Sequence, residues 1–473
     1  MSVGGFRTGT VVLRGGTVID SSGSRSTDVL FSVDDGRILA VGPGLEGDHT
    51  LDASGCVVAP GLVDLHAHLR QPGRDEAETI ETGSQSAALG GFTAVVAMPN
   101  TSPTIDSPAM VREVQRLSEG AYCAVYPAAA ITVGRRGETL TPMAALVRLG
   151  VRFFTDDGDG VQNARVMRKA LEYASSLDHL IAGSQPGKVP GLDDEKGFAS
   201  SNSGTRTERS GRASGLGGVV LAQHCEVDEL SVGGYMHEGE WSSRLGLPGQ
   251  PAEAEELMVM RDVALVRLTG ARMHFLHLST AGSVEIVRAA KRSGLPVTAE
   301  ATPHHFTLTD ASCANYDTVF KVHPPLRTEA DVAAIKAGLA DGTIDAIATD
   351  HAPHTTADKN MPFDMAPPGM LGLETALALA LTELDLPIEK ILALMSWQPA
   401  AIAGINDSQG GPIVPGASAN LCVIDTDIQW KVSGASMASR SSNTPFEGRV
   451  LRGRARHTIA AGKVVTMDGE IQR

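Results

Sequence analysis

Two histidines separated by one residue stand in the segment D-L-H-A-H-L-R, at positions 66 and 68. This segment ends an apolar run, GLVDLHAH (61–68), whose composition predicts a β-strand. Side chains two residues apart on a strand point the same way, so His66 and His68 would aim both imidazoles at one point, as a divalent metal ion requires. The pair alone is a weak signal, because two surface histidines would give the same pattern.

Further residues of metal-ligand type follow other apolar runs. They are Asp156 or Asp157 in FFTDDG, His224 in AQHCE, His277 in FLHLST and Asp350 in ATDHAPH. Each has a structural explanation when taken alone, since a strand-end Asp commonly caps the next helix. Together with the H-x-H pair they supply four imidazoles and two carboxylates from five strand ends. That set suits two Zn²⁺ ions bridged by a carboxylate and a hydroxide.

Three other histidines lie close to these positions in the sequence. His274 precedes His277 by three residues, which places it on the opposite face of a strand and predicts a structural role. We interpret His304 and His305, in TPHH, as residues that support the ligands rather than as ligands.

The elements that must position these residues alternate along the middle of the chain. Eight short apolar runs occur at 61–68, 92–100, 124–132, 151–158, 219–225, 272–279, 296–305 and 345–354. Helical patterns stand between them at 109–117, 163–175, 254–270, 283–294 and 331–342. Buried strands alternating with helices predict an α/β fold with a TIM-like (β/α)8 barrel, whose sites lie at the C-terminal strand ends. An open, doubly wound parallel sheet is the alternative.

The two ends of the chain have a different pattern from the middle. Residues 10–60 and the segments 419–425 and 458–469 read as short strands separated by turns. We expect a small β domain built from residues 1–60 and 412–473, flanking a barrel domain at 61–411. A Gly/Ser-rich stretch without hydrophobic periodicity, at about 183–218, predicts a flexible surface insertion.

Composition excludes several classes of function. The formal charge is −15, from 40 basic and 55 acidic residues, and the sequence contains no Lys/Arg cluster. We therefore expect no nucleic-acid partner and no binding to an anionic membrane surface. The sequence has no apolar run of transmembrane length and no signal-peptide pattern. Its five scattered cysteines favour a reducing compartment, so we expect a cytoplasmic protein.

Several longer blocks resemble the class I dihydroorotases of the amidohydrolase superfamily. They are PGLVDLHAHLRQPG, AMPNT, FFTDDG, HEGEWSSRLGLPGQPAEAEE, HLSTAGSVEIVR, VTAEATPHHFTLTD, PPLRTEADV and IATDHAPH. The blocks occur in order over nearly the whole chain and omit only the insertion. The resemblance implies a barrel with a small flanking β domain, in agreement with the pattern of strands and helices.

The resemblance also implies two zinc ions per subunit. It assigns His66, His68 and Asp350 to one ion, His224 and His277 to the other, and Asp157 together with a hydroxide to the bridge between them. Hydantoinases, allantoinases and many dihydroorotases of other classes bridge their metals with a carboxylated lysine instead. FFTDDG offers an aspartate there, and no lysine stands nearby on that strand.

Substrate contacts carry over from the family motifs as well. The resemblance assigns the substrate carboxylate to Arg70 and Asn100, and further contacts to His68, His354, and the backbone of Pro368 and Gly369. The family usually has asparagine in K-x-N-P-P-L-R, where this chain has His323. His323 can still make one hydrogen bond to substrate, but it is bulkier than asparagine. Gln71 replaces a common glutamate, and we expect little effect from it.

The activity implied is the reversible cyclisation of N-carbamoyl-L-aspartate to L-dihydroorotate, a step of pyrimidine biosynthesis. Asp350 would be the catalytic proton shuttle. Two alternatives stay open at this point: another cyclic amidohydrolase of the hydantoinase or allantoinase type, and a non-catalytic partner of aspartate transcarbamoylase. Homodimers are common in the family, and the sequence leaves open both dimer formation and association with aspartate transcarbamoylase.

Overall fold

The computed structural model describes residues 6–182 and 218–472. The predicted insertion at 183–218 therefore lies outside the described residues, except for Gly218.

Strands occur throughout the described chain, in two groups at its ends and one group in its middle. The strands are β1 (Thr10–Arg14), β2 (Thr17–Asp20), β3 (Gly23–Ser26), β4 (Asp28–Ser32), β5 (Ile38–Gly42), β6 (His49–Asp52), β7 (Val57–Pro60), β8 (Leu62–Ala67), β9 (Phe92–Ala97), β10 (Ala124–Pro127), β11 (Phe153–Thr155), β12 (Val220–Gln223), β13 (Met236–His237), β14 (Gly249–Gln250), β15 (Met273–Phe275), β16 (Val297–Ala301), β17 (Ala346–Ile347), β18 (Leu421–Lys431), β19 (Val450–Ala460), β20 (Lys463–Met467) and β21 (Glu470–Ile471).

Helices separate the middle strands. The α-helices are α1 (Ile80–Leu89), α2 (Pro108–Leu117), α3 (Met143–Arg148), α4 (Ala164–Ser176), α5 (Asp178–Ala182), α6 (Asp228–Ser231), α7 (Glu240–Leu245), α8 (Glu253–Thr269), α9 (Ala281–Arg292), α10 (Glu329–Asp341), α11 (Thr356–Lys359), α12 (Ala376–Glu383), α13 (Ile388–Leu392) and α14 (Gln398–Ala403).

The five predicted helices are present as α2, α4, α8, α9 and α10, with ends within two residues of the predicted ones. Local chemistry explains several of these ends. Pro108 occupies the first turn of α2, where its missing N–H costs nothing. Thr328 and Asp331 form a capping box that begins α10, and Gly342 ends that helix at a φ of 84°.

Each of the eight predicted runs contains one parallel strand, namely β8 to β12 and β15 to β17. They form two sheets with the orders β10-β9-β8 and β11-β12-β15-β16-β17. Isolated parallel bridges join Ala129 to Phe154 and Ala67 to His351, and so link the two sheets at both ends. Several strands are shorter than their runs because the last residues leave the ladder and form the loops that carry the polar side chains.

Alternate positions on the parallel strands face two different cores. One cluster of buried side chains is contributed by Val63, Leu65, Ala94, Val96, Met98, Ala128, Phe153, Val220, Ala222, Leu276, Ala346 and Ala348, together with residues near α14. The intervening strand positions, such as Val95, Phe154 and Ile347, pack instead against the helices in a larger cluster. This alternation explains why the strands read as continuous apolar runs, since both of their faces are covered.

The terminal strands form two further sheets. One has the order β5-β4-β1-β6, and the other has the order β21-β20-β19-β18-β7-β2-β3, so the second sheet combines strands from both ends of the chain. β7 continues directly into β8 through Gly61, which connects this sheet to the first parallel strand. β4 and β5 form an antiparallel hairpin, whose turn contains the pair Asp35-Gly36. Asp-Gly pairs are common in such turns.

All five cysteines fall within the described residues, and each is a buried free thiol. Among residues 6–182 and 218–472, no helix combines the length and the apolar character that a bilayer crossing demands.

Candidate active site and metal centre

A local irregularity in β8 determines where its histidines point. The register of β8 against β9 shifts between Asp64 and Ala67, so that three residue steps on β8 match two steps on β9. Such a bulge changes which face the following side chains occupy. His66 and His68 consequently project towards the ends of the neighbouring parallel strands rather than into the helical layer.

Two groups of potential metal ligands lie at these strand ends and share one residue. His66, His68 and Asp157 form one group, and Asp157, His224 and His277 form the other, with the ligand atoms of each group within 4.8 Å of one another. Asp157 is thus placed between the two groups. This is the position that a bridging carboxylate would need.

The neighbouring Asp156 has a different environment. Its Oδ1 accepts a hydrogen bond from the Thr132 backbone N–H at 3.0 Å, and its Oδ2 accepts one from the Thr132 hydroxyl. Asp156 therefore fixes the loop after β10, and of the two aspartates in FFTDDG only Asp157 joins the histidine cluster.

Asp350 completes the first group from the loop after β17. Its Oδ1 lies 3.0 Å from Nε2 of His68 and 3.5 Å from Nε2 of His66. The six predicted metal ligands thus come together in one buried cluster from the ends of five strands: His66, His68, Asp157, His224, His277 and Asp350.

The donor atoms of this cluster fit metal binding. Nε2 of His66 is buried without a hydrogen-bond partner among the described residues, although buried polar atoms normally have one. Imidazoles and carboxylates are the ligands that Zn²⁺ and related divalent ions take in catalytic sites. The residues present therefore fit a pair of divalent metal ions.

The pKa shifts of His66 and Asp157 also favour a bound cation. Burial disfavours a charge on His66, but Asp157 and Asp350 outweigh it and raise the pKa of His66 well above its ordinary value. Burial also opposes ionisation of Asp157, yet His66, His224 and His277 hold the pKa of Asp157 well below its ordinary value. The cluster thus stabilises positive charge at the point where these atoms converge, which is what a cation site requires.

Two buried glutamates, which were not among the predicted site residues, orient the ligand histidines. Oε1 of Glu300 accepts a hydrogen bond from Nδ1 of His66 at 3.0 Å, and Oε2 of Glu226 accepts one from Nε2 of His224 at 2.7 Å. A carboxylate on the far nitrogen fixes the ring and leaves the other nitrogen free for a metal. The available signal was a charged residue inside the predicted apolar run at 296–305, where Glu300 stands in VTAEATPHH.

Of the three histidines that we predicted to have supporting roles, His274 contacts a residue that orients a ligand. His274 bonds Glu300 through Nε2 at 3.0 Å and Thr298 through Nδ1 at 2.8 Å, so it holds the glutamate that orients His66. His305 is tied to Thr302 and to a backbone carbonyl. Nε2 of His304 is buried and unpartnered among the described residues.

Strained backbone is concentrated in this region. Arg70, His277 and Asp350 have φ values of 59°, 30° and 46°, in a range that non-glycine residues seldom adopt. Each such residue costs about 1–3 kcal/mol and persists only where the surroundings enforce it. Because of its positive φ, His277 departs from the alternation of side chains along β15. Its ring therefore faces Asp157 and His224.

A cavity of about 160 Å³ opens above the cluster. Its lining includes every predicted metal, catalytic or substrate residue except His66, which lies beneath it: His68, Arg70, Asn100, Asp157, His224, His277, His323, Asp350, His354, Pro368 and Gly369. A cleft of about 440 Å³ elsewhere, lined by residues such as Glu138 and Lys169, contains none of them.

Arg70 is fixed beside His354 at the rim of the cavity. Its Nε donates to the Pro353 carbonyl at 3.1 Å, and its Nη2 lies 3.2 Å from Nε2 of His354. Burial lowers the pKa of Arg70 to about 10, so the guanidinium stays charged at neutral pH. Burial and Arg70 lower the pKa of His354 to about 2, so this ring is neutral, and its Nε2 lies 2.8 Å from the Pro368 carbonyl.

Asn100 and His323 complete the lining with polar groups. Oδ1 of Asn100 accepts a hydrogen bond from Nδ1 of His68 at 2.9 Å, which leaves its amide N–H groups available to a ligand. Burial lowers the pKa of His323, and its Nε2 has no hydrogen-bond partner among the described residues. The cavity therefore combines a fixed cation, a free amide and a neutral imidazole above a metal-binding cluster.

Solved structures share this fold. An L-hydantoinase (dihydropyrimidinase) from Arthrobacter aurescens is 23% identical, with a TM-score of 0.80, 98% of this chain covered and 97% of that chain. A dihydropyrimidinase from Brevibacillus agri is 19% identical, with a TM-score of 0.78, 98% of this chain covered and 96% of that chain. At these identities the likeness concerns the fold alone.

Sequence comparisons are more specific. Residues 55–185 match the family model described as dihydro-orotase-like, and residues 219–465 match that of the amidohydrolase family. Among similar proteins, the dihydroorotase of Pelotomaculum thermopropionicum is 44% identical, covering 98% of this chain and all of the relative. That of Mycobacterium tuberculosis is 45% identical, covering 94% and 96%. With near-complete coverage at this identity, the chain belongs to the dihydroorotase family of the amidohydrolases.

Proposed function

We propose that the protein is a dihydroorotase, which interconverts N-carbamoyl-L-aspartate and L-dihydroorotate with the help of bound metal ions. The single observation that carries this proposal is the position of Asp157 in both histidine groups, beneath a cavity rimmed by Arg70. The substrate has a ring amide to be hydrolysed and a carboxylate to be held. The metal-binding cluster would act on the ring amide, and the guanidinium of Arg70 would bind the carboxylate.

The proposed cofactor is a pair of Zn²⁺ ions. His66, His68 and Asp350 would hold one ion, His224 and His277 the other, and Asp157 both. Bound there, the ions would lower the pKa of a water molecule and polarise the carbonyl of the scissile amide. Glu300 and Glu226 support the assignment, since each fixes the ring of one ligand histidine.

In the hydrolytic direction, Asp350 is the proposed proton carrier. It accepts the proton of the attacking water and delivers it to the ring nitrogen as the carbon–nitrogen bond breaks. Burial opposes its ionisation, but His66 and the hydrogen bond from His68 lower the pKa of Asp350 below its ordinary value. The carboxylate is therefore ionised at neutral pH and ready to accept a proton.

In the biosynthetic direction the same groups act in reverse. Asp350 removes a proton from the ureido nitrogen as that nitrogen attacks the side-chain carboxyl carbon of the substrate, and the proton leaves with the water that is released. Arg70 and the free amide of Asn100 hold the other carboxylate, so the reacting atoms meet in a fixed orientation. His354 stabilises this arrangement through its contact with Arg70.

The proposal also includes the domain organisation. The parallel strands and the two bridges that link their sheets support a closed (β/α)8 barrel over residues 61–411. The sheet that combines β2, β3 and β7 with β18 to β21 supports a small β domain from residues 1–60 and 412–473. The cluster then lies at the C-terminal ends of the barrel strands, where such folds carry their sites.

A hydantoinase or allantoinase activity is the competing proposal, and the structural neighbours are hydantoinases. Asp157 at the bridging position and the pairing of Arg70 with Asn100 at the rim favour the dihydroorotase. A purely non-catalytic role is disfavoured because all six ligand residues are present and converge.

The test is hydrolysis of L-dihydroorotate by the purified protein before chelation, after chelation and after zinc is returned. Hydantoin and allantoin are assayed beside it. We expect zinc-dependent turnover of dihydroorotate alone. Preferential turnover of hydantoin or allantoin would transfer the assignment to the competing enzyme, and a protein that binds two metals but turns over none of the three would contradict both.

A further inference from the structure

A short segment between β18 and β19 crosses the region beside the cavity. We call residues 439–443 the strap. Ser439, Ser441 and Asn443 are buried, whereas Arg440 and Ser442 between them are exposed. This alternation is that of an extended chain with one face turned inward, although the strap belongs to none of the sheets.

Asn443, at the end of the strap, joins two loops that line the cavity. Its Nδ2 donates to the carbonyl of Ala352 at 3.0 Å and to that of Gly369 at 3.2 Å. Its Oδ1 accepts the backbone N–H of His354 at 3.1 Å, and its own carbonyl accepts that of Leu371 at 3.2 Å. A single side chain thus satisfies backbone groups on both the loop after β17 and the loop at 367–371.

The two loops that Asn443 joins touch one another closely. A Cβ atom placed on Gly369, whose φ is 131°, would lie 2.7 Å from Cβ of Ala352 and 2.9 Å from Nε2 of His354. The same glycine donates its N–H to the carbonyl of Lys321 at 2.8 Å. A small shift of either loop would therefore move His354 and the cavity wall together.

Two serines anchor the rest of the strap to residues 77 and 78, of which Glu78 also lies 3.3 Å from His351 in the loop after β17. The hydroxyl of Ser439 donates to Glu78, and that of Ser441 donates to the carbonyl of Ala77 at 2.7 Å. These contacts hold the strap against the start of α1, so Asn443 is presented from a fixed base. They also provide an internal comparison, because Ser441 shares the strap but its hydroxyl donates to Ala77 rather than to a cavity-lining loop.

We propose that Asn443 is a positioning residue for substrate binding, which sets the distance between the loop bearing His354 and the loop bearing Gly369. This inference rests on the proposed dihydroorotase function for its substrate. Asn443 touches no metal ligand and none of the reacting atoms. Its effect is on how well the carboxylate pocket formed by Arg70 and His354 matches the substrate.

The test compares Asn443→Ala with two variants of the same strap. Asn443→Ala should raise KM for L-dihydroorotate about tenfold with kcat within about twofold, since three hydrogen bonds that shape the pocket are lost. Ser441→Ala should lower Tm without changing KM. Ser442→Ala, on the exposed face, should change neither. Bound zinc should be the same in all variants.

A readout independent of turnover accompanies the kinetics. Backbone hydrogen exchange of residues 352–354 and 369–371 should be faster in Asn443→Ala than in Ser441→Ala, with no substrate present. Should Asn443→Ala fail to fold, Asn443→Ser retains a hydroxyl that can serve one of the partners, and an intermediate KM is expected.

The outcomes separate this inference from the proposed function. If the wild type hydrolyses dihydroorotate but Asn443→Ala keeps the wild-type KM, whether or not its Tm falls as expected for Ser441→Ala, the positioning role is wrong. If the wild type does not hydrolyse dihydroorotate, the proposed function fails, and faster exchange confined to the two loops would still support a positioning role for the strap.

Discussion

Nε2 of His68 lies 3.0 Å from Oδ1 of Asp350, so the loop after β17 reaches the segment that follows β8. The same loop approaches β8 again through the bridge between Ala67 and His351. The position of Asp350 therefore depends on both the metal-binding cluster and the junction of the two parallel sheets.

Asp350→Asn should lower kcat by about 10³-fold, because an amide cannot accept the proton that the proposed reaction must move. The side chains have nearly equal volume, so the fold and most of the bound zinc should be retained. Steady-state kinetics, metal analysis and thermal unfolding measure the three properties. Activity near that of the wild type would remove Asp350 from the proton path.

The adjacent aspartates of FFTDDG provide a matched pair. Asp157→Ala should reduce bound zinc and abolish turnover, since Asp157 belongs to both ligand groups. Asp156→Ala should keep its zinc but lower the free energy of unfolding by about 1–3 kcal/mol, because it leaves the buried Thr132 donors without their acceptor. Equal zinc loss in both variants would contradict this division.

Glu300→Gln should weaken zinc binding about 10- to 100-fold. The amide cannot accept hydrogen bonds from both His66 and His274, so the His66 ring loses its fixed orientation. Glu374→Gln is the control, because Glu374 is a partly buried carboxylate that bonds Ser86 and the backbone of Ala438 instead of a histidine. Zinc titration against a competing chelator gives the affinities, and equal affinities in the two variants would contradict the assignment.

The environment of Lys359 predicts that the free energy of unfolding depends on pH. Its ammonium donates to the carbonyls of Thr318 and Pro367, and burial, followed by the charge of Lys321, lowers its pKa from 10.5 to about 7. Between pH 7 and 10.5 the unfolded chain keeps a proton that the folded protein has released, so this residue makes the free energy of unfolding rise with pH.

Lys359→Met removes that contribution. Relative to the variant, the wild type should be least stable near pH 6 and gain stability up to pH 9. Urea unfolding of both proteins at several pH values measures the difference. If the two proteins show the same change of unfolding free energy with pH, the pKa of Lys359 is not lowered in the folded protein.

The fold was largely predictable from periodicity. Eight apolar runs each contain one parallel strand, because strands covered on both faces need apolar residues at every position. The five predicted helices have ends within two residues of those found, since residues such as Pro108 and Gly342 mark them in the sequence.

The metal-ligand residues of the candidate site were predictable because they stand at the ends of apolar runs. Residues whose role depends on packing between distant segments were harder to predict. The role of Glu300 depends on two histidines that come from other strands. The direction of His277 depends on a positive φ that residue type does not reveal. The strap was missed because its alternating burial involves only five residues and no strand pairing, so it resembles an ordinary polar loop in the sequence.

The contact between His68 and Asp350 has a consequence for synthesis of the protein. The two residues are separated by 282 positions along the chain, so the ribosome must add all of these residues after His68 before the contact can form. Contacts of such long range form late and slowly. A nascent chain that stops before Asp350 would present His66 and His68 without their last carboxylate partner, so we expect full metal loading only after Asp350 has been synthesised.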